Sequence, residues 1–165
     1  MSSASSAPGS LHRCCAAGLA AAVWLQPLFL LAVRLYWGWQ FAVTGWGKLH
    51  SLARVTAFFA SLGIPFPGLN APFVATLEFA GGILLVLGLA SRPVALLLAV
   101  DMAVAYLTAD REALFAFFSD PGKFCAAAPF TFLFASLIVL LFGPGRLALD
   151  RLLPARFSGG RAGSR

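Results

Sequence analysis

Four apolar stretches, each close to the length of a membrane-spanning helix, constrain this chain more than any other feature. They cover about 27–46, 72–90, 93–109 and 126–142, with short segments between them. A helix needs roughly 20 apolar residues to cross the hydrocarbon core of a bilayer. We therefore predict an all-α fold, an integral membrane bundle of four helices within one domain that covers residues 14–153.

The composition agrees with a protein whose partner is the lipid bilayer. Of 165 residues, 60% are hydrophobic and 11% are charged, whereas soluble domains are about 45–50% apolar and about 25% charged. Residues 1–13 predict a disordered N-terminal tail, and residues 154–165 predict a basic disordered tail. The net charge of +6 has no soluble domain to carry it, so we expect no nucleic-acid partner.

Two local patterns refine the picture of the first span. Pro27 suits the first turn of a helix, so residues 14–25 would form a pre-helix or an extension bent at the proline. Residues 48–62 place apolar side chains at helical spacing, with His50, Arg54 and Ser61 on the other face. That pattern predicts an interfacial amphipathic helix after span one, ended by Gly63.

The distribution of Lys and Arg favours both termini in the cytoplasm. With both termini on one side, the tails and the turn between spans two and three hold seven basic residues, against four on the opposite side. Basic residues near the ends of the spans concentrate on the cytoplasmic side of membrane proteins.

Three charged residues, Arg34, Glu78 and Asp101, interrupt the apolar spans. A charge at mid-membrane costs a few kcal/mol, so such residues face the bundle interior and pair. Depths of about 10 Å for Arg34 and about 12 Å for Asp101 from one face predict that these two pair. Lys48 and Glu78, near the opposite face, would form the second pair, and a looser network through Arg34 and Glu78 is the alternative. Such charges could fix the order of the helices or line a polar cleft.

Small residues near these charges predict where the helices touch. Gly38 and Gly45 lie on span one, and Gly81 and Gly82 lie one turn from Glu78 on span two. Membrane helices pack closely where small residues meet, so we predict these four glycines to be helix-packing residues.

Several motifs resemble those of the DoxX family of small bacterial and archaeal membrane proteins, and together they span about 30–152. The matching stretches are Arg34-Leu35 with Gly38 and Phe41, Gly45-Trp46-Gly47-Lys48-Leu49, Leu62-Gly63-Ile64-Pro65 with Pro67, Glu78-Phe79-Ala80-Gly81-Gly82 extended through Gly88 to Arg92, and Gly143-Pro144-Gly145 with Leu149-Asp150. Asp101 is not among them. The resemblance implies a four-helix bundle in the bacterial inner (cytoplasmic) membrane. It also implies a redox-associated subunit, because the family is named for a subunit of a terminal quinol oxidase.

The residues argue against most intrinsic cofactors. The two histidines, His12 and His50, lie outside the predicted spans, so we expect no haem. Cys14, Cys15 and Cys125 form neither a Cys-x-x-Cys pair nor a metal cluster, so we expect no metal.

A quinone site remains compatible with the sequence. It would need an apolar slot with flat aromatic walls and a few donors for the two carbonyl groups. The candidate quinone-binding residues are Trp37, Phe41 and Trp46 of span one, with Glu78 as a proton carrier. Trp residues also form interfacial belts in most membrane proteins, which is the alternative interpretation.

Three functions therefore stay open. The first is a redox-associated membrane subunit that presents quinone or quinol to a partner oxidoreductase, alone or as a homo-oligomer. In that case the chain is at most a subunit of a quinone-linked enzyme. The second is a non-enzymatic assembly or chaperone-like scaffold. The third is a small-solute carrier that works as an oligomer.

Overall fold

A computed structural model describes the backbone of residues 10–145 and 147–151 and the side chains of residues 23–145 and 147–150. Within these residues the chain forms seven α-helices, one short 3₁₀ helix and no strand. The helices are α1 (Ser10–His50), α2 (Leu52–Ser61), α3 (Pro67–Leu87), α4 (Ser91–Thr108), α5 (Arg111–Phe115), α6 (Pro121–Ala126) and α7 (Ala128–Phe142), and the 3₁₀ helix covers Leu149–Arg151. The all-α prediction is therefore confirmed.

Two of the described helices, α3 and α4, are long and apolar enough to cross a membrane. Helix α7 is also apolar but has 15 residues, and α2 has 10. The predicted spans correspond to α1, α3, α4 and α7, and the segment predicted as an outer loop contains the short helices α5 and α6. The all-helical architecture and the two helices of membrane-spanning length agree with the predicted membrane protein, and the number of spans stays a prediction.

The structure moves the predicted ends of two helices. Helix α1 continues from Ser10 to His50, so Pro27 lies inside the helix and not in its first turn as predicted. Residues 14–25 extend α1, which was one of the two alternatives for them, and the start of the membrane span itself stays a prediction. Membrane helices tolerate a proline because neighbouring groups satisfy the freed carbonyl. Helix α3 begins at Pro67, which occupies its first turn, so Pro72 falls inside the helix. Of the N-terminal tail predicted over residues 1–13, residues 10–13 belong to α1 and the rest lies outside the described residues, as does the C-terminal tail predicted over residues 154–165.

The helices pack mainly in two pairs, α1 with α3 and α4 with α7, and smaller contacts join α3 to α4 and α1 to α7. The core between them contains the side chains of Phe41, Leu85, Leu98 and Val139, one from each of these helices. Each of these side chains is at most 2% exposed.

Glycines allow α1 and α3 to approach closely along their antiparallel contact. A Cβ on Gly45 would collide with the backbone N of Phe79, and a Cβ on Gly38 would lie 2.9 Å from the carbonyl oxygen of Gly82. Gly82 in turn meets the backbone of α1, while Gly81 faces Leu98 of α4. All four glycines predicted to pack helices thus lie at helix contacts.

Candidate functional site in a cleft between three helices

The amphipathic helix predicted after span one is present as α2, but its apolar face lines an internal cleft of about 640 Å³. The cleft lies between α2, α3 and α4. Its walls include Val55, Phe58, Phe59 and Leu62 of α2, Phe73, Val74 and Leu77 of α3, and residues between 97 and 109 of α4.

Helix α2 packs against α3, and α4 contributes the remaining residues around the cleft. Lys48, two residues before the end of α1, contacts Glu78 with its long side chain. The backbone of α1 meets Ala75 and Phe79 at Gly45, so α1 ends beside the first half of α3, and α2 connects that point to Pro67. The location of α2 at the membrane interface stays a prediction.

The cleft contains three charged side chains among its apolar walls, Lys48, Glu78 and Asp101, which we refer to as the charged cluster. Helices α1, α3 and α4 contribute one residue each. Lys48 Nζ donates a hydrogen bond of 2.6 Å to Glu78 Oε1. The side chain of Glu78 is 2% exposed and that of Lys48 is 34% exposed. The Asp101 carboxyl group is the neighbour of Glu78 in the same cleft.

Two oxygens of the charged cluster, Glu78 Oε2 and Asp101 Oδ2, are buried and have no hydrogen-bond donor among the described residues. A buried acceptor without a donor costs about 1–3 kcal/mol. These oxygens therefore mark a place where a ligand with a polar group can bind, and the neighbouring carboxyl groups can hold a proton between them.

Of the two predicted ion pairs, the structure contains Lys48 with Glu78 and not Arg34 with Asp101. Arg34 is 1% exposed and donates hydrogen bonds to backbone carbonyls at the other end of the molecule. The acceptors are Leu85 and Val86 in the last turn of α3, and Pro144 and Leu147 after α7.

The last carbonyls of a helix lack intrahelical donors, which explains why α3 attracts this guanidinium. Gly88 leaves room for it, because a Cβ there would collide with Arg34 Nη2. Arg34 therefore stabilises the end of α3, and the pairing with Asp101 and the alternative network through Glu78 were both wrong.

The aromatic residues predicted for a quinone site do not line the cleft. Trp37 and Phe41 pack against Phe132 of α7, with ring centroids 5.1 and 4.7 Å apart. Trp46 packs against His50 and against Phe79, on the side of α1 away from the cleft lining. Glu78 is the one member of the predicted set that reaches the cleft.

The aromatic walls of the cleft come instead from Phe58 and Phe59 of α2 and Phe73 of α3. The sequence contained a signal for Phe58 and Phe59, since both belong to the apolar face of residues 48–62, the predicted interfacial helix. Among the described residues, no three His, Cys, Asp or Glu side chains form a group that could hold a metal ion.

Comparison with known proteins gives the chain a family context. Residues 29–111 match the family model described as DoxX. Inner membrane protein YqjF of Escherichia coli (strain K12) is 30% identical over 133 residues, 78% of this chain and 95% of YqjF. The Bacillus subtilis (strain 168) protein named "Putative oxidoreductase CatD" is 32% identical over 134 residues, 81% of this chain and 91% of that protein. No solved structure matches the chain.

Proposed function

Because this chain belongs to the DoxX family, we propose that it is a multi-pass inner-membrane subunit associated with redox chemistry, which binds quinone in the cleft. The observation that carries the proposal is the charged cluster inside an otherwise apolar cleft of about 640 Å³. Small-molecule sites have volumes of about 300–1,000 Å³, are mostly apolar and hold a few polar groups that orient the ligand. The name of the relative CatD adds an association with oxidoreductases.

The depth of the charged cluster favours a ligand that moves within the bilayer. Asp101 lies 10 residues after the start of the 18-residue helix α4, or about 15 Å along a helix of about 27 Å. Leu97, Val100 and Val104, on the same helix, line the cleft and are exposed. The cleft therefore opens towards the lipid at mid-membrane depth. An apolar tail can enter the cleft there, whereas a water-soluble solute would have to pass through lipid. This opening supports quinone over the small-solute carrier.

The chemistry of the charged cluster suits the head group of a quinone. Lys48 has three N–H donors and uses one of them on Glu78, so another is free to donate to a quinone carbonyl. Reduction to quinol takes two electrons and two protons. In this proposal a partner oxidoreductase supplies the electrons, and the carboxyl groups of Glu78 and Asp101 pass on the protons.

We further propose that α1 and α7 span the membrane together with α3 and α4, with both termini in the cytoplasm. Helix α1 has 41 residues, more than a span requires. Helix α7 has 15 residues, about 22 Å, and its mean hydropathy is high. The excess of basic residues in the tails supports the orientation.

Quinone content tests the proposed function. We would purify the protein in mild detergent, extract the bound organic molecules and quantify quinone by mass spectrometry. We expect about one quinone per chain in the wild type and loss of most of it in Glu78→Gln and Asp101→Asn. Glu112→Gln is the matched control, because this exposed carboxylate pairs with Lys123 outside the cleft and its loss should change nothing.

The same measurement distinguishes the alternatives. A wild-type protein that neither retains quinone nor binds it when a long-tailed quinone is added contradicts the redox proposal and favours the assembly scaffold. Equal affinities for quinones with and without a long apolar tail would contradict the proposal that the ligand enters the cleft from the bilayer.

A further inference from the structure

A second cavity, of about 310 Å³, lies at the end of the molecule where Arg34 meets the end of α3. We refer to it as the Arg92 cavity. Apolar side chains, a guanidinium group and an amide group line it together. The lining includes Val23, Gln26 and Leu30 of α1, Arg92 of α4, Phe142 of α7 and the following Gly143. None of these residues lines the cleft between α2, α3 and α4.

Arg92 is exposed, lines this cavity and has no acidic partner among the described residues. Its Nε and Nη2 atoms each lie 3.4 Å from the position that a Cβ on Gly143 would occupy. Gly143 has a φ of 78°, which favours glycine and keeps this space open. Arg92 takes part in neither of the two ion pairs found in the described part of the chain.

Arg34 and Arg92 are the basic side chains that the structure describes at this end of the molecule. In the sequence, the stretches 1–34, 88–100 and 143–165 contain eight arginines and a single acidic residue, Asp150. Both carboxylate oxygens of Asp150 accept hydrogen bonds from backbone N–H groups, Oδ1 from Ala90 at 2.7 Å and Oδ2 from Ser91 at 3.1 Å. The one carboxylate at this end is therefore committed to the start of α4, and the Arg92 guanidinium is available to an anion from outside.

The position of Arg92 along α4 indicates where that anion comes from. Helix α4 has 18 residues, or about 27 Å, close to the roughly 30 Å of the hydrocarbon core. Arg92 lies in its first turn and therefore at the level of the lipid headgroups. We propose that the Arg92 cavity binds one anionic phospholipid, with the phosphate on the Arg92 guanidinium and an acyl chain against Val23, Leu30 and Phe142. This proposal does not depend on the quinone site.

Native mass spectrometry of the purified, delipidated protein titrated with phosphatidylglycerol tests the proposal. We expect one tightly bound phosphatidylglycerol on the wild type and about a tenfold weaker affinity in Arg92→Gln, the loss that one charge-assisted hydrogen bond explains. Arg92→Lys keeps the charge but not the bidentate geometry, so its affinity should fall between the two. Arg54→Gln, an exposed arginine on α2, is the matched control and should bind like the wild type.

Further arms identify the source of the phosphate. Phosphatidylcholine, whose headgroup has no net charge, should not replace phosphatidylglycerol, and millimolar inorganic phosphate should not displace it. Displacement by inorganic phosphate would contradict a lipid ligand. Equal phosphatidylglycerol affinity of Arg92→Gln and the wild type, with both variants eluting as folded protein, would overturn the site.

Discussion

Glu78 connects more parts of the candidate site than any other residue. Its Oε1 accepts the hydrogen bond from Lys48, whereas its buried Oε2 has no hydrogen-bond donor among the described residues. A carboxylate inside an apolar span is costly unless a partner compensates for its lost hydration. The contact between α1 and α3 at this level therefore depends on Lys48 and Glu78 together.

A double-mutant cycle measures this dependence. We expect Glu78→Gln and Lys48→Met each to lower the free energy of unfolding, at the low end of the about 3–5 kcal/mol typical of a broken buried pair, since Lys48 is one-third exposed. The double variant should lose much less than the sum of the two. Unfolding in detergent, monitored by circular dichroism, gives the values. Strictly additive losses would mean that the two side chains do not interact.

The pairing of individual residues shows what sequence could and could not reveal. Depth along a helix predicted Lys48 with Glu78, because both lie near one face of the bundle. The same arithmetic was wrong for Arg34, since it compares side-chain charges with each other and takes no account of backbone carbonyls. The end of α3 offers Arg34 two such acceptors, Leu85 and Val86, which no pattern of charged residues records.

At the scale of elements, the contact between α1 and α3 is the most extensive in the described molecule. Its glycines bring the two backbones together and set the level at which Lys48 meets Glu78. Motif spacing was sufficient to predict these glycines, because close backbone approach requires a missing side chain. The walls of the cleft were harder to predict, because a side chain of α2 or α4 that lines a cleft has the same apolar character as one that faces lipid.

Two glycines of α1, two residues apart, test this contact. Gly45→Ala should destabilise the protein by about 1–3 kcal/mol, since the added Cβ collides with the backbone of Phe79 and α1 must move away. Gly47→Ala is the control, because its Cβ would meet no atom within 4 Å. It should stabilise the helix by roughly 0.5–1 kcal/mol. Thermal unfolding compares them, and equal effects of the two substitutions would rule out a tight contact at Gly45.

At the scale of the whole molecule, the segment after α7 lies beside the middle of α1 and beside the turn between α3 and α4. Leu30 of α1 lies beside Gly145, and Asp150 contacts the backbone of that turn. Helices α5 and α6 lie at the opposite end, where the hydroxyl group of Tyr106 donates a hydrogen bond to the carbonyl of Phe124. The orientation proposed above would therefore place the two termini on one side of the membrane and Cys125 on the other.

Cysteine labelling tests the proposed orientation. With Cys14 and Cys15 replaced by alanine, Cys125 is the remaining thiol, and it is exposed. We expect a membrane-impermeant maleimide to label it in intact spheroplasts. A variant with Cys125→Ala and Ser164→Cys should be labelled only after lysis. The reverse pattern would place residue 164 outside, and labelling of both thiols in intact spheroplasts would mean that α7 does not cross the membrane.

The segment that follows α7 has a consequence for the order in which the protein is made. Asp150 accepts from Ala90 and Ser91, its own N–H donates to Gly88, and Pro144 supplies a carbonyl for Arg34. A ribosome synthesises these groups only after α1, α3 and α4. The first three long helices are thus made with an incompletely satisfied guanidinium and an unprotected helix start. Residues 144–150 therefore close the contacts between α1, α3 and α4 only after α7 has been synthesised.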